Sequence, residues 1–588
     1  MIRLLAILVA CTGGDEPVPD GENPPPFGMI LKEDGQLYAG VARVAITPTN
    51  FETYTDEDGD YSFDGCLTDP TGTRTGCDEP FDDLNGNSYF DGVWIAGFGE
   101  LRAARTVHDD ITVTAVVLSL DGEYVALVGV DALGILENRI RDAKDALEAE
   151  GFDRDRVVVS SSHTHQGPDT VGIYGAAEDY LSGIYPPFME EVSPGLFDAI
   201  STAASEMVPV SPRQGLVRMS QLGDDTLNGE PFGGINPDPS VVGGINDIRD
   251  PVVEADHVLA IALDGADGGR VATIVNASGH PEVVGDENDA ISADYPFYVR
   301  EYVESTAGGT TVFLSGALGG MQSALGATLP TVDENGERVV DDQGSPVWQS
   351  DSNFEFAQTW GTLVAQAAEA ALTDDTPWTA IRVRHAEFLI PVDNISFKLA
   401  FQVGLLDTPD SYVVMDHSCP GYGSDPDNFG CVPGGVWQIE LGPTTFGSVP
   451  GELFPELFWG VPDEPAMADA SLRTGDPRWV QWDPDCASVD FEQCRGTDDE
   501  RDGCDCLQHH VVPYEHSYAN ATIEAMLPGT FKAPIGIANA YCGYVVPEPD
   551  FNTHVSVLTD DGDHYEETNS CSVSFAELVL DGFAELNP

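Results

Sequence analysis

Three apolar, β-branched runs in this chain each stop in a loop of serine, glycine and histidine or glutamine, and this arrangement limits the fold more than any other feature. Val157-Val158-Val159-Ser160 runs into Ser161-Ser162-His163-Thr164-His165-Gln166-Gly167-Pro168. The run over 271–275 leads into Asn276-Ala277-Ser278-Gly279-His280-Pro281, and the run over 310–314 into Ser315-Gly316-Ala317-Leu318-Gly319-Gly320-Met321-Gln322-Ser323. Short uninterrupted runs of this type predict strands of the buried kind. Two more β-rich runs, 111–120 and 124–130, are joined by Asp121-Gly122, a hairpin signal. Helices are predicted over 138–151, with Ile140, Ala143, Ala146 and Leu147 on one face, and over 354–372 after the capping candidates Ser352 and Asn353. The fold class expected is α/β. Ordered sequence begins near Leu37, and beyond about 400 the chain reads as loop-rich.

Charge narrows the function classes. The 588 residues carry 25 basic and 100 acidic side chains, so the formal charge is 25 − 100 = −75. Such a surface repels a polyanion, so nucleic-acid partners are excluded. The hydrophobic fraction of 42% supplies a sizeable core and excludes a wholly disordered acidic chain. The only lysines are Lys32, Lys144, Lys398 and Lys532, and the carboxylates are spread along the chain. A dispersed acidic shell keeps a protein hydrated in salt.

Met1-Ile2-Arg3, the apolar run 4–10 and Cys11-Thr12-Gly13-Gly14 read as an export signal. Leu8-Val9-Ala10-Cys11 resembles a bacterial lipobox, so residues 1–11 are expected to be a lipoprotein signal peptide and Cys11 a lipidated membrane anchor. The location expected is the outer membrane or cell surface, with a periplasmic or secreted protein as the alternative. Residues 12–30, rich in Pro, Gly and acid, form a tether. Ten cysteines remain, an even number that in an exported chain reads as disulfides. Cys66/Cys77 and Cys419/Cys431 are candidate local pairs, and Cys504-Asp505-Cys506 is a poor zinc motif.

Between 50 and 92 one pattern, D-x-[DN]-G-[DN]-x-x-F-D-G, occurs twice. The first copy contributes Asp56, Asp58, Asp60 and Asp64, and the second Asp83, Asn85, Asn87 and Asp91. Alternating oxygens around a glycine turn suit Ca²⁺, although the glycine falls too early for an EF-hand. Solvated Asx turns are the alternative.

His163-Thr164-His165 places two imidazoles on one side of an extended chain, an arrangement open to metal binding and proton transfer. In combination with other segments this loop resembles the neutral, non-lysosomal ceramidase family. The matching segments are Ala39-Gly40-Val41 to Thr47-Pro48, S-H-T-H-x-G-P, Gly279-His280-Pro281 with Ile291-Ser292-Ala293-Asp294, Val449-Pro450-Gly451-Glu452, Ala538-Asn539-Ala540-Tyr541-Cys542-Gly543-Tyr544 and His564-Tyr565-Glu566, in the family's order. The resemblance implies that 31–588 is one large catalytic domain of mixed sheets and helices with long loop insertions. It also implies a zinc amidohydrolase that cleaves the N-acyl bond of ceramide or a related acyl lipid. The implied zinc ligands are His163, His280, Glu452 and Tyr544, with His165 and Tyr565 assisting. His108 also matches a family position, and a surface hydrogen bond accounts for it equally well. Tyr541 is the alternative to Tyr544 as neighbour of the site.

Three departures qualify the resemblance. The family's G-D-x-S segment, whose serine has been proposed as nucleophile, reads Gly319-Gly320-Met321-Gln322 here. A zinc-bound water with the Gln322 amide as oxyanion donor is therefore expected instead of a covalent serine. No N-R-S substrate segment occurs near 218–228, and the chain ends 18 residues after Ser570, where the family continues into an immunoglobulin-like domain. Two other readings stay open. One is a calcium-stabilised surface lipoprotein that keeps the scaffold without catalysis; the other is a zinc esterase or amidase of a non-sphingolipid substrate. A phosphoester substrate is disfavoured, because no Lys/Arg cluster adjoins the motifs.

Overall fold

The structure, a computed structural model, describes residues 25–64, 79–176, 181–221, 241–242, 245–246, 253, 255–320, 322–333, 335–392, 394–406, 430–461, 522–547 and 565–588. The export signal, most of the tether, Cys66, Cys77, Cys419 and the Cys504-Asp505-Cys506 segment lie outside these residues, as does most of 218–228.

Eight strands make the main sheet: β1 (Tyr38–Ala45), β2 (Thr112–Leu120), β3 (Glu123–Val130), β4 (Val157–Ser161), β5 (Val208–Arg218), β6 (His257–Gly265), β7 (Arg270–Ala277) and β8 (Thr310–Ser315). Their order is β8-β7-β6-β5-β1-β2-β3-β4. That order reads the same way outward from its centre. In each half two strands pair antiparallel, a helix crosses over, and the next strand returns parallel. The helices are α1 (Glu137–Ala149) before β4 and α3 (Tyr295–Ala307) before β8. A longer helix closes each half, α2 (Pro186–Ser205) and α4 (Phe354–Ala371). Asn353 caps α4 by accepting from Phe356 N at 2.9 Å.

Residues on β2 explain why the runs are apolar without alternation. Every residue of this strand is buried. Val113, Ala115 and Val117 face a core shared with α1 and α2, whereas Val116, Leu118 and Leu120 face a second core shared with β6–β8. The halves thus pack face to face, each with its own helices outside. β1 and β5 pair only at Tyr38–Pro209 and Ala39–Val208, which leaves the halves free to fold over one another. Gly129 of β3 lies directly beneath the Phe313 carbonyl of β8, and any side chain there would collide with it. Ser315 Oγ, at the end of β8, donates to Ser161 O at 2.8 Å and Ser162 O at 3.0 Å. The polar loops that follow the two halves are thereby brought together.

Beyond 400, where the sequence reads as loop-rich, Cys431–Leu441, Thr444–Ser448 and Phe531–Ile535 form strands, while 407–429, 462–521 and 548–564 lie outside the described residues. A second sheet has the order β9 (Ile381–Pro391), β10 (Cys431–Leu441), β11 (Thr444–Ser448), β12 (Phe531–Ile535), and it closes the inner core. Gly434 and Gly435 break the apolar pattern of β10, yet the strand pairs with β9 over eleven positions. Helix α5 (Ile395–Val403), helix α6 (Phe575–Leu586) and the Cys542–Cys571 disulfide complete this part. Among the described residues no helix is long and apolar enough to cross a membrane.

Candidate metal centre and its cavity

The first polar loop begins where β4 ends, and it turns sharply. His163 has a φ of 73°, a left-handed conformation that a β-carbon resists and that a local network must hold. Its N–H donates to Ala132 O at 2.8 Å, and His165 N donates to Pro281 O in the second loop at 2.8 Å. The pattern His163-Thr164-His165 on its own predicts an extended chain. The turn at His163 instead brings the rings of His163 and His165 to 5.1 Å between centroids, and those of His163 and His280 to 4.9 Å.

The hydrogen bonds of these rings fix their protons. His163 Nδ1 donates to Leu133 O at 2.6 Å, and His280 Nδ1 donates to Gln322 O at 2.9 Å. A carbonyl only accepts, so in the neutral ring each Nε2 carries a lone pair. Both Nε2 atoms face Glu452 Oε2, 3.1 Å from His280 and 3.5 Å from His163. Glu452 opens the short strand Glu452–Leu453, which pairs in parallel with Tyr544–Val545. Its second oxygen accepts from the Tyr541 hydroxyl at 2.8 Å. His163, His280 and Glu452 are each 2% exposed or less.

Two imidazole lone pairs and a carboxylate oxygen at this separation repel unless positive charge lies among them. In the metal-free protein a proton supplies it. Burial lowers the His280 pKa, but the bond to Glu452 and the charges of Glu282 and Glu452 outweigh that, and it is pushed up to about 9. Burial raises the Glu452 carboxyl, yet His163 and His280 hold it well below the usual range. A divalent cation would meet the same need, and two imidazoles with a carboxylate are a zinc donor set. His163, His165 and His280 each place a ring nitrogen within 4.8 Å of the others. The donors therefore fit zinc.

His165 differs from its neighbours. Burial and the charges of His163 and His280 push its pKa well below the usual value, so it is neutral. Among the described residues neither ring nitrogen has a hydrogen-bond partner, and Glu282 Oε2 stands 3.5 Å from Nδ1. Gly97, with φ at +82°, gives the His165 ring its space; a β-carbon there would collide with it.

His163, His165, Glu452, Tyr541, Tyr544 and Tyr565 line one cavity, whose remaining wall is largely apolar, with Leu136, Val171, Ile173, Phe397, Phe401 and Leu406. Tyr544 is buried, and burial with the Glu452 charge pushes its pKa well up. Tyr565 is 39% exposed, with its ring 6.0 Å from that of Tyr544. His564 lies outside the described residues. Gln322 holds His280 through its backbone carbonyl, while its side-chain Oε1 accepts from Ala255 N at 3.2 Å. His108 belongs to another cluster: it stacks on Phe354 at 3.8 Å and bonds Asp109 at 2.8 Å.

The duplicated acidic motif folds as two equivalent turns. Asp56 accepts from Gly59 N and Tyr61 N, and Asp83 accepts from Gly86 N and Ser88 N. The motif phenylalanines Phe63 and Phe90 pack at 4.2 Å. In the first turn Asp56, Asp58 and Asp60 come within 4.8 Å of one another. In the second, Asn85 and Asn87 donate to Asp91 at 2.6 and 2.5 Å.

Several residues of the site had no signal of their own. Glu282 follows His280 at the same spacing that separates His163 from His165, which is a usable hint. Leu133 acts only through its carbonyl, which no sequence pattern marks. Arg102, which donates to the carbonyls of Gly97, His165 and Asn288, stands in no motif.

No family model matches the sequence, and no curated protein matches it. Solved structures do. The crystal structure of neutral ceramidase from Pseudomonas aeruginosa aligns with a TM-score of 0.52 and 14% identity, covering 94% of this chain and 75% of that one. A structure of ceramidase complexed with C2 aligns with the same score, identity and coverage. Nearly the whole of this chain therefore has the mixed α/β fold of neutral ceramidase.

Proposed function

We propose that this protein is a zinc-dependent amidohydrolase that cleaves the N-acyl bond of ceramide or a related acyl lipid. The observation that carries the reading is the convergence of His163 and His280 Nε2 on one oxygen of Glu452, beside an apolar cavity, in the fold of neutral ceramidase. Zinc at this position, held by His163, His280 and Glu452, would polarise the acyl carbonyl and lower the pKa of a water towards about 7.

The chain's own residues account for the remaining steps. His165, neutral and with both ring nitrogens unengaged, accepts the proton of the attacking water. It returns that proton to the leaving nitrogen as the C–N bond breaks, giving a carboxylic acid and an amine. Tyr565 donates to the oxygen that gains charge, and Leu136, Ile173, Phe397 and Phe401 hold the acyl chain away from water. The site has no serine at Gln322, which agrees with attack by water. A lipid anchor at Cys11 would keep the enzyme at the membrane that holds its substrate. Ca²⁺ at Asp56, Asp58 and Asp60 would brace the acidic turn.

Fatty-acid release from a panel of N-acyl sphingosines and simpler N-acyl amides, with zinc and with chelator, tests the proposal. Release that requires zinc and disappears in His163→Ala supports it. A zinc-loaded protein that releases nothing refutes it. A protein that takes up no zinc supports the non-catalytic scaffold.

A further inference from the structure

The cavity beside the histidines has a volume of about 130 Å³. Its polar wall is His163, His165 and Glu452, and its apolar wall includes Leu136, Ala400 and Leu406, all three buried in one cluster. Ala400 lies on α5, and Leu406 follows the end of that helix.

What such a cavity admits depends on whether its wall can retreat, and both ends of α5 are tied down. At the N-terminal end Asn394 Oδ1 caps the helix, accepting from Ser396 N at 2.8 Å. The same side chain donates through Nδ2 to Thr568 O at 2.7 Å and to Ser570 O at 2.9 Å, and Asn394 N donates to Cys571 O at 3.1 Å. Cys571 is in turn bonded to Cys542. At the C-terminal end Leu405 N donates to Ala400 O at 3.0 Å, and Leu405 O accepts from Ser182 Oγ at 2.6 Å. Gly172 packs directly on that carbonyl, and a β-carbon there would collide with it. Outward movement of the wall would break these bonds and open a void in the cluster of Leu136, Ala400, Leu405 and Leu406.

The volume therefore acts as a limit. An apolar cavity of roughly 150 Å³ accommodates benzene, so this one has room for about six carbon atoms. Methylenes beyond that number stay outside the cavity, where they gain nothing from burial in it.

We propose that the acyl group taken by this site is short, with about six carbons or fewer, and that Ala400 and Leu406 set the limit. That the occupant is an acyl group rests on the amidohydrolase reading, whereas the size limit belongs to the wall itself.

Calorimetric titration of the whole protein with butanol, hexanol, octanol and decanol tests the limit without any hydrolysis. Affinity is expected to rise about fourfold per methylene up to hexanol and to level beyond it. In parallel, butanoyl, hexanoyl, octanoyl and hexadecanoyl amides of one amine are offered to the zinc-loaded protein, and kcat/KM should peak near hexanoyl. Ala400→Leu narrows the cavity and should flatten the alcohol series from butanol onward. Leu406→Ala widens it and should move the break past octanol; either folded variant alone suffices. A break in the alcohol series with no amide cleaved would overturn the amidohydrolase reading and leave the size limit standing. Affinity that climbs unbroken to decanol, no saturable binding of any alcohol, a kcat/KM that climbs through hexadecanoyl, or a break that no folded variant moves would overturn the proposal.

Discussion

Tyr541 donates its hydroxyl to Glu452 Oε1 at 2.8 Å, on the opposite side of the carboxylate from the oxygen that faces His163 and His280. Burial and the Glu452 charge push the Tyr541 pKa well above its usual value, so it stays a donor at neutral pH. One residue therefore orients the acid that the two histidines share. Tyr541→Phe should lower zinc affinity or kcat/KM by roughly 10–100-fold, the usual effect of losing the hydrogen bond that orients a ligand. Metal content and kinetics of Tyr541→Phe and Tyr544→Phe, measured side by side, check this. A larger loss of zinc in Tyr544→Phe would make Tyr544 the ligand and Tyr541 incidental.

Gly97 tests whether the position of His165 matters apart from metal binding. Alanine there brings a β-carbon against the imidazole ring and strains a φ of +82°. The ring must move while His163, His280 and Glu452 stay in place. Gly97→Ala should retain zinc and lose activity, by about 10²-fold if a misplacement near 1 Å results. Unchanged kcat in a zinc-loaded Gly97→Ala protein would remove His165 from the reaction.

Asp294 makes stability depend on pH. It caps α3, accepting from Tyr295 N at 2.5 Å, and its other oxygen accepts from Val284 N at 3.1 Å. Burial, with Glu282 and Asp109 nearby, outweighs those bonds and pushes its pKa from 3.8 up to about 7. Between those values the folded state binds more protons than the unfolded one, so this group's contribution falls as pH rises from about 4 to 7. The full effect is on the order of 4 kcal/mol. Urea unfolding at several pH values should show a flatter profile for Asp294→Asn than for the parent. Parallel profiles would disprove the assignment.

The sequence and the structure agree most closely where one physical requirement repeats along the chain. The strands 112–120, 123–130 and 157–161 and the helices 137–149 and 354–371 lie within a few residues of expectation, because continuous apolar runs and 3.6-residue periodicity are local signals. β10 was illegible because Pro433, Gly434 and Gly435 interrupt its pattern, and pairing with β9 and β11 overrides that weak propensity. At the site, His163, His280 and Glu452 were legible through motifs, and the structure brings all three together. Leu133, Gly97 and Arg102 were not, because they act through a carbonyl, an absent side chain and backbone contacts. His108 matched by position, yet its neighbours are Phe354 and Asp109. A resemblance in order does not carry side-chain placement at every residue.

The two halves of the main sheet are also joined by charge. Arg300 of α3 reaches Asp131, just past β3, with bonds of 2.7 and 2.9 Å, and both residues are buried. Asp131 further accepts from Thr112 N at 2.9 Å and Thr112 Oγ1 at 2.8 Å, so every oxygen is engaged. Removing one partner of such a pair leaves an uncompensated buried charge, which costs about 3–5 kcal/mol. Arg300→Met should show that loss in chemical unfolding. Asp131→Asn combined with Arg300→Met removes the stranded charge and keeps an acceptor for Thr112, so it should recover much of the difference. A double variant no more stable than Arg300→Met would mean that the guanidinium acts by packing between the halves, and the role of charge in joining them would have to be dropped.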